Sequence, residues 1–138
     1  YQTIMKIMPN SETNPSTHSG CEPYALTNMY FGPDNPQKGK TLFAWVTGTA
    51  GWMFRAVVQD MLGFHPDYNG FTLNPCIPSD WNEVTLTRKF RGDTYNITIK
   101  NDSKKQSGVT KVMLDGVEVG ASVALVGDGK AHDIVVIM

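Results

Sequence analysis

Neither sign of charge predominates in these 138 residues: 12 basic side chains face 13 acidic ones, for a formal net charge of −1. With no basic stripe anywhere, nucleic acid and an anionic membrane are not expected as partners. Long apolar runs are missing too. A stretch such as Ile134-Val135-Val136-Ile137-Met138 falls far short of the roughly 20 residues a bilayer span requires. Cysteine is scarce: Cys21 and Cys76 lie in dissimilar surroundings and form no C-x-x-C pair. This predicts two buried free thiols in a reducing compartment, the cytoplasm, and excludes a disulfide framework. His18, His65 and His132 are scattered without metal-ligand spacing, so they read as surface or loop histidines and no metal is expected. No internal repeat and no low-complexity tract is present. No initiator Met and no signal-peptide pattern opens the chain at Tyr1, so it reads as a piece of something longer. Its last strand ends with the chain, which suggests a native C-terminus.

What is present is ordinary globular material, 41% hydrophobic and 18% charged, long enough for one domain with its own core. Two zones differ in period. Residues 1 to 63 carry helical patterns between polar loops. Tyr1 to Met8 has apolar residues near helical spacing and is stopped by Pro9. Asn10 to Gly20 is all loop chemistry. Glu22 to Phe31 predicts a short, largely buried helix, with Pro23 in its first turn and Gly32-Pro33 ending it. Ala50 to Leu62 is the best helix: Trp52, Met53, Ala56, Val57, Val58 and Met61 form a wide apolar stripe opposite Arg55, Gln59 and Asp60, and Gly63 stops it.

Residues 64 to 138 alternate instead. Val84 to Phe90, a reversal at Arg91-Gly92-Asp93, and Thr94 to Ile99 predict a β-hairpin. Val109 to Leu114 turned by Asp115-Gly116 into Val117 to Val119 predicts a second. Val123 to Val126, through Gly127-Asp128-Gly129, into Ile134 to Met138 predicts a third. Short strands so spaced argue for an antiparallel sandwich.

Thr47-Gly48-Thr49 opens the best helix. A helix start leaves backbone N–H groups without intrahelical partners and carries the positive end of the dipole. Glycine admits a ligand close to the backbone, threonine adds hydroxyl donors, and Ala50 and Gly51 keep the turn uncrowded, so an oxyanion such as phosphate fits there without a lysine. The same residues equally describe a threonine cap with a turn glycine.

Several segments together point further. Cys21-Glu22-Pro23-Tyr24, Gly32-Pro33-Asp34 and Trp45-Val46-Thr47-Gly48-Thr49-Ala50-Gly51-Trp52-Met53 occur in order. Leu62-Gly63, Asp67-Tyr68-Asn69-Gly70, Leu73-Asn74-Pro75-Cys76-Ile77-Pro78, Trp81 and Phe90-Arg91-Gly92-Asp93-Thr94-Tyr95 follow. This succession, covering nearly the whole chain, resembles the C-terminal end of glycoside hydrolase family 94, the inverting disaccharide phosphorylases of the cellobiose and chitobiose phosphorylase type.

The resemblance implies an α+β fragment: the last helices of an α/α barrel (residues 1 to 63), then a C-terminal antiparallel jelly-roll-like β-sandwich (residues 64 to 138). It implies a parent enzyme in which inorganic phosphate, a substrate and not a cofactor, attacks a β-linked disaccharide with inversion. The products are an α-configured sugar 1-phosphate and a free sugar. Thr47 and Gly48 match the phosphate cradle. Asn28 stands where related enzymes often carry a longer glutamine against the sugar. The general-acid aspartate, and the arginine and histidine that share the phosphate, lie earlier in the barrel, so no catalytic residue is expected in this chain and the chain alone should be inactive. The partners so implied are the rest of the barrel and a second copy of the parent in a homodimer.

Other signals have plainer readings. Glu22 sits at a helix start, and Asp34, Asp60, Asp67 and Asp80 read as solvated or capping carboxylates. Arg91-Gly92-Asp93 is a turn before it is an adhesion tripeptide, and the sequons at Asn96 and Asn101 lack a secretory context. The apolar residues of 45 to 62 read as core. Two alternatives stay open: a noncatalytic β-sandwich that buttresses the barrel or binds glycan through exposed Tyr68 and Trp81, and the end of a cyclic β-glucan synthase.

Overall fold

The structure, a computed structural model, describes residues 1–8 and 10–138. The chain divides into two compact units, Tyr1–Ala56 and Val57–Met138. The stop expected at Pro9 lies outside the described residues.

The first unit is poor in regular structure. Helix α1 (Gln2–Ile7) is short and buries none of its residues. A second helix, α2 (Ser16–Ser19), stands where only loop was expected. Pro15 leads into it and Gly20, left-handed, closes it with an N–H bond to the Ser16 carbonyl. Both signals were in the sequence, but they bracket a single turn.

The helix expected over Glu22 to Phe31 does not form. After one turn, closed by Ala25 N–H on the Glu22 carbonyl, the backbone bonds run across to residues 40–43: Asn28 N–H to the Phe43 carbonyl and Phe31 N–H to that of Lys40. Strands β1 (Met29–Tyr30) and β2 (Thr41–Leu42) pair antiparallel there. Nor is the segment largely buried. Ala25 is inside, but Tyr24 is 89% exposed and Met29 and Tyr30 also face solvent.

The best helix begins one residue earlier than expected, as α3 (Thr49–Arg55), and continues as a π-helical segment (Ala56–Met61). Its last bond runs from Leu62 N–H to the Val57 carbonyl, five residues back. Of its apolar stripe only Val58 is buried. Trp52 and Phe54 are exposed, as are Phe43, Trp45 and Val46 just before the helix. The expectation of a core over residues 45 to 62 is thus corrected for its first part, while Val57, Val58, Met61 and Leu62 do join the core. A unit of this size with so few elements has no second layer to set against the exposed side chains.

The second unit is a pair of sheets. A three-stranded sheet runs in the order β3 (Phe64–Pro66), β4 (Gly70–Leu73), β9 (Ser122–Ala124). A five-stranded sheet runs β5 (Glu83–Phe90), β6 (Asp93–Lys100), β10 (Ala131–Ile137), β7 (Lys111–Leu114), β8 (Val117–Val119). The two expected hairpins are present as β5–β6 and β7–β8. Their two-residue turns, Arg91-Gly92 and Asp115-Gly116, have positive φ at both positions, the geometry that matches strand twist.

The third hairpin is absent. Strand β9 pairs with β4, and β10 inserts between β6 and β7, parallel to the first and antiparallel to the second. The larger sheet is therefore mixed and not purely antiparallel. Gly127-Asp128-Gly129 is tied to the Asp93 carboxylate on β6 and does not close a tight reversal.

Alternation decides what is inside. Tyr95, Ile97 and Ile99 of β6 and Ile134 and Val136 of β10 point one way and meet Phe64, Phe71, Leu73 and Val123 of the smaller sheet in one core. Phe64 and Phe71 stack with centroids 4.6 Å apart, and Tyr95 meets Phe71 edge-on at 4.8 Å. Each such side chain contributes about 1.5–3 kcal/mol by leaving water. Backbones also approach closely: a Cβ on Gly63 would lie 2.2 Å from the Asn74 carbonyl carbon, and one on Gly70 would lie 2.0 Å from the Val123 oxygen.

Two further expectations are corrected. Trp81 packs against the core as a half-buried residue, and Tyr68 alone of that pair is fully displayed, at 82% exposure beneath the Arg91 guanidinium. Cys21 is buried as expected, but Cys76 is exposed, its strand-like segment bridging to Ser107 at the surface.

Candidate functional site

The helix-opening turn is built by its two threonines. Thr47 Oγ1 accepts the Thr49 N–H at 2.9 Å, and the Thr47 hydroxyl donates to Thr49 Oγ1 at 2.7 Å. Thr47 thus acts as a local cap, satisfying one of the otherwise open N–H groups at the start of α3. Gly48, exposed and already helical at φ −85°, ψ −4°, accepts the Trp52 N–H through its carbonyl. The cap is real. It leaves both hydroxyl groups at the mouth of the helix, and a hydroxyl hydrogen can rotate to suit an incoming acceptor.

Asn28, exposed in the bend just before β1, borders a cavity of about 180 Å³ that Thr27, Tyr30 and, from the helix-opening turn, Thr49 also line. Gly48 borders a second hollow of about 240 Å³ with Gly51, Trp52 and Arg55. The Arg55 guanidinium lies 5.8 Å from the Trp52 ring centroid. Sequence reading set Arg55 opposite the apolar stripe and missed that it shares a face with the turn. The spacing Gly48, Gly51/Trp52, Arg55 is the helical i, i+3, i+4, i+7 pattern that could have revealed it. Thr49, the second threonine of the turn, faces the Asn28 cavity.

Glu22 is not poised to deliver a proton. It is held below the usual carboxylate range by its own backbone N–H and by Trp45, so it is ionised. It opens the 22–25 turn, where no helix begins. Asp34, Asp60, Asp67 and Asp80 are all exposed.

His132 departs from the expectation of a surface histidine. It is buried on β10 with Nδ1 2.8 Å from Asp115 Oδ2 and Nε2 3.0 Å from Asp128 Oδ1. Both carboxylates, Asp115 first, raise its pKa above the ordinary imidazole range. Ligand atoms of Asp93, Asp128 and His132 lie within 4.8 Å of one another, which invites comparison with a metal centre. The hydrogen bonds argue otherwise. An imidazole facing a carboxylate at each nitrogen carries both protons and has no lone pair to offer. Asp93 is occupied by Gly127 N–H, Gly129 N–H and the Tyr95 hydroxyl. His65 is half-buried on β3, and His18 is exposed with Nε2 on the Lys38 carbonyl.

Comparison with known proteins places the chain in a family. Residues 1–63 match the pattern of the Glycosyl hydrolase 94 superfamily, catalytic domain. Along the whole chain the sequence is 55% identical to the solabiose phosphorylase of Paenibacillus borealis. Over 85% of the chain it is 33% identical to the N,N'-diacetylchitobiose phosphorylase of Vibrio proteolyticus. The chain belongs to glycoside hydrolase family 94. A weaker likeness, 30% over 69% of the chain, connects it to the cyclic β-(1,2)-glucan synthase of Rhizobium meliloti. The chain spans 18% of the first of these relatives and 15% of the second. Among the described residues no helix is long and apolar enough to cross a membrane.

Proposed function

We propose that this chain is the C-terminal part of an inverting β-glycoside phosphorylase, and that its turn at Thr47-Gly48 supplies part of the phosphate site. The observation that carries this reading is the 55% identity to a solabiose phosphorylase across the entire chain, turn included. One phosphate oxygen attacks the anomeric carbon of a β-linked disaccharide, solabiose being the first candidate. The glycosidic C–O bond breaks, and a carboxylic acid elsewhere in the enzyme gives its proton to the departing oxygen. An α-configured sugar 1-phosphate and a free sugar result. Phosphate is already anionic and needs holding on the correct face more than it needs a base.

Each residue has a part in that holding. The Thr47 hydroxyl keeps the Thr49 N–H as acceptor and turns the proton it gives to Thr49 Oγ1 toward a phosphate oxygen. Gly48 lets that oxygen approach the backbone, and the helix dipole favours its charge. Asn28, across the shared cavity, offers its amide to a sugar hydroxyl. The exposed Phe43, Trp45, Trp52 and Phe54 pack against the remainder of an α/α barrel of which residues 1 to 63 form the last helices, and residues 64 to 138 form a jelly-roll-like sandwich. The enzyme works in the cytoplasm as a homodimer, and this chain alone is inactive because the general acid lies outside it.

The test compares this chain with the longer protein on solabiose, cellobiose, chitobiose and laminaribiose. Phosphate-dependent formation of a sugar 1-phosphate by the longer protein alone supports the proposal. Turnover independent of phosphate, or activity of the isolated chain, defeats it. A synthase reading rests on the weaker glucan-synthase likeness and predicts chain extension from an activated donor in place of phosphorolysis. A glycan-binding module is less favoured now that Trp81 is half-buried. Sugar affinity of the isolated chain on a glycan array would revive it.

A further inference from the structure

The ionisable cluster around His132 plays no part in the phosphate site, and its geometry describes a device of its own. His132 lies on β10 with carboxylates on three sides: Asp115 from the β7–β8 turn, Asp128 from the loop ahead of β10, and Asp93 from β6. Tyr95 of β6 faces it with ring centroids 5.7 Å apart. Just ahead of that strand Lys130 is an exposed partner of Asp128 at 3.5 Å, and on it Asp133 is drawn to Asn96. The imidazole is therefore the one buried cation among the described groups that face these three anions.

The same groups hold the loop down. Asp93 receives Gly127 N–H at 2.7 Å and Gly129 N–H at 2.9 Å, the Tyr95 hydroxyl receives Val126 N–H, and Asp128 is fastened by His132. We propose that residues 126–130 form a proton-gated latch, closed on the end of the larger sheet when His132 is protonated and released when it is neutral.

The chemistry follows from counting donors. Imidazolium has two N–H groups and serves both Asp115 and Asp128. Neutral imidazole has one and leaves the other carboxylate against a lone pair. Asp115 is retained on β10 by the Asp133 N–H, whereas the other bonds of Asp128, to the Lys130 N–H and ammonium, lie within the loop itself, so Asp128 is the arm that lets go. It lies close to Asp93, and with the intervening cation gone the two anions repel each other. Moving Asp128 outward carries Gly127 and Gly129 off the Asp93 carboxylate.

Both neighbouring carboxylates favour the protonated form, so the folded-state pKa of His132 lies above its unfolded value. The clamp is fully present below the unfolded value and is lost as pH rises through the folded one. The latch is independent of the phosphate reading, and its test involves no enzymatic activity.

The experiment is an NMR titration of this chain from about pH 5 to about pH 9, following His132 ring signals and the exchange protection of Gly127 and Gly129 amides, corrected for intrinsic rate. The expected result is an about tenfold or greater loss of protection at both glycines, with the midpoint of the His132 titration and above the ordinary imidazole range. Asp115→Asn should move that midpoint down. His132→Gln should hold the loop open throughout; should that variant not fold, the wild-type titration decides. Glycine protection unchanged while His132 titrates would overturn the latch, and so would a His132 already neutral at about pH 6.

Discussion

Replacing Gly70 by alanine tests the strand order of the second unit against the hairpin its sequence suggests. Gly70 sits opposite Ala124 in the β4–β9 ladder, and an added Cβ would lie 2.0 Å from the Val123 carbonyl oxygen. A carbon and a carbonyl oxygen need about 3.3 Å, so β9 must withdraw by more than about 1 Å or the added methyl must displace β4. Either movement weakens cross-strand hydrogen bonds worth about 0.5–1.5 kcal/mol each. It also partly exposes Val123, now 2% accessible, at a cost of a further 1–2 kcal/mol or so. Gly70→Ala should therefore cost about 2–5 kcal/mol, a large fraction of the 5–15 kcal/mol typical of a domain. Gly120→Ala is the control. It lies just before β9, has no positive φ and has no neighbour nearer than 4.0 Å, so it should fall within about 0.5 kcal/mol of wild type. Urea denaturation followed by NMR signals of β4, β6 and β10 would read both. If Gly70→Ala costs less than about 1 kcal/mol, β9 does not lie against β4 and the assigned topology is wrong.

Other outcomes follow from side-chain environments. The Asp93 carboxyl is held below its usual range chiefly by Gly127 N–H, that of Asp115 by His132, and that of Asp128 by Lys130 N–H. These depressed values contribute stability above the ordinary carboxylate pKa that is lost as pH falls through it toward the folded-state values. Urea midpoints should fall progressively below about pH 4, and Asp93→Asn, already weaker at neutral pH, should fall less steeply; parallel curves would contradict the assignment. Cys76 is exposed, whereas Cys21 is buried and burial pushes its thiol pKa up. A maleimide should label Cys76 about 100-fold or more faster than Cys21 in the folded chain, and equal rates would place Cys21 at the surface.

Legibility in the sequence tracked how local the determining interactions were. Arg91-Gly92 and Asp115-Gly116 state their turns within two residues, and both hairpins formed where expected. The helix ending before Gly63 was bounded correctly because periodicity and the stop lie side by side. Gly127-Asp128-Gly129 looks equally turn-like, yet its backbone is claimed by Asp93, far away in sequence, and β10 takes a parallel partner that no local pattern announces. Glu22 to Phe31 has helical composition, but its N–H groups find carbonyls across the β1–β2 pair. His132 could have been placed better. It shares the period-two register of Ile134 and Val136, which sets it on the buried face, although its carboxylate partners come from other turns. At the candidate site the Thr47-Gly48 turn was readable because a helix start declares itself. The convergence of Asn28 and Thr49 on one cavity depended on a strand pairing that was not.

The most direct test of the phosphate assignment is steady-state kinetics of Thr47→Val in the longer protein, varying phosphate and disaccharide separately. Removing a hydroxyl donor to a charged acceptor costs about 1.5–3 kcal/mol, so the KM for phosphate should rise about 10–100-fold. The KM for the disaccharide should stay within about twofold. An unchanged phosphate dependence would mean that Thr47 is only the helix cap its hydrogen bonds to Thr49 already make it.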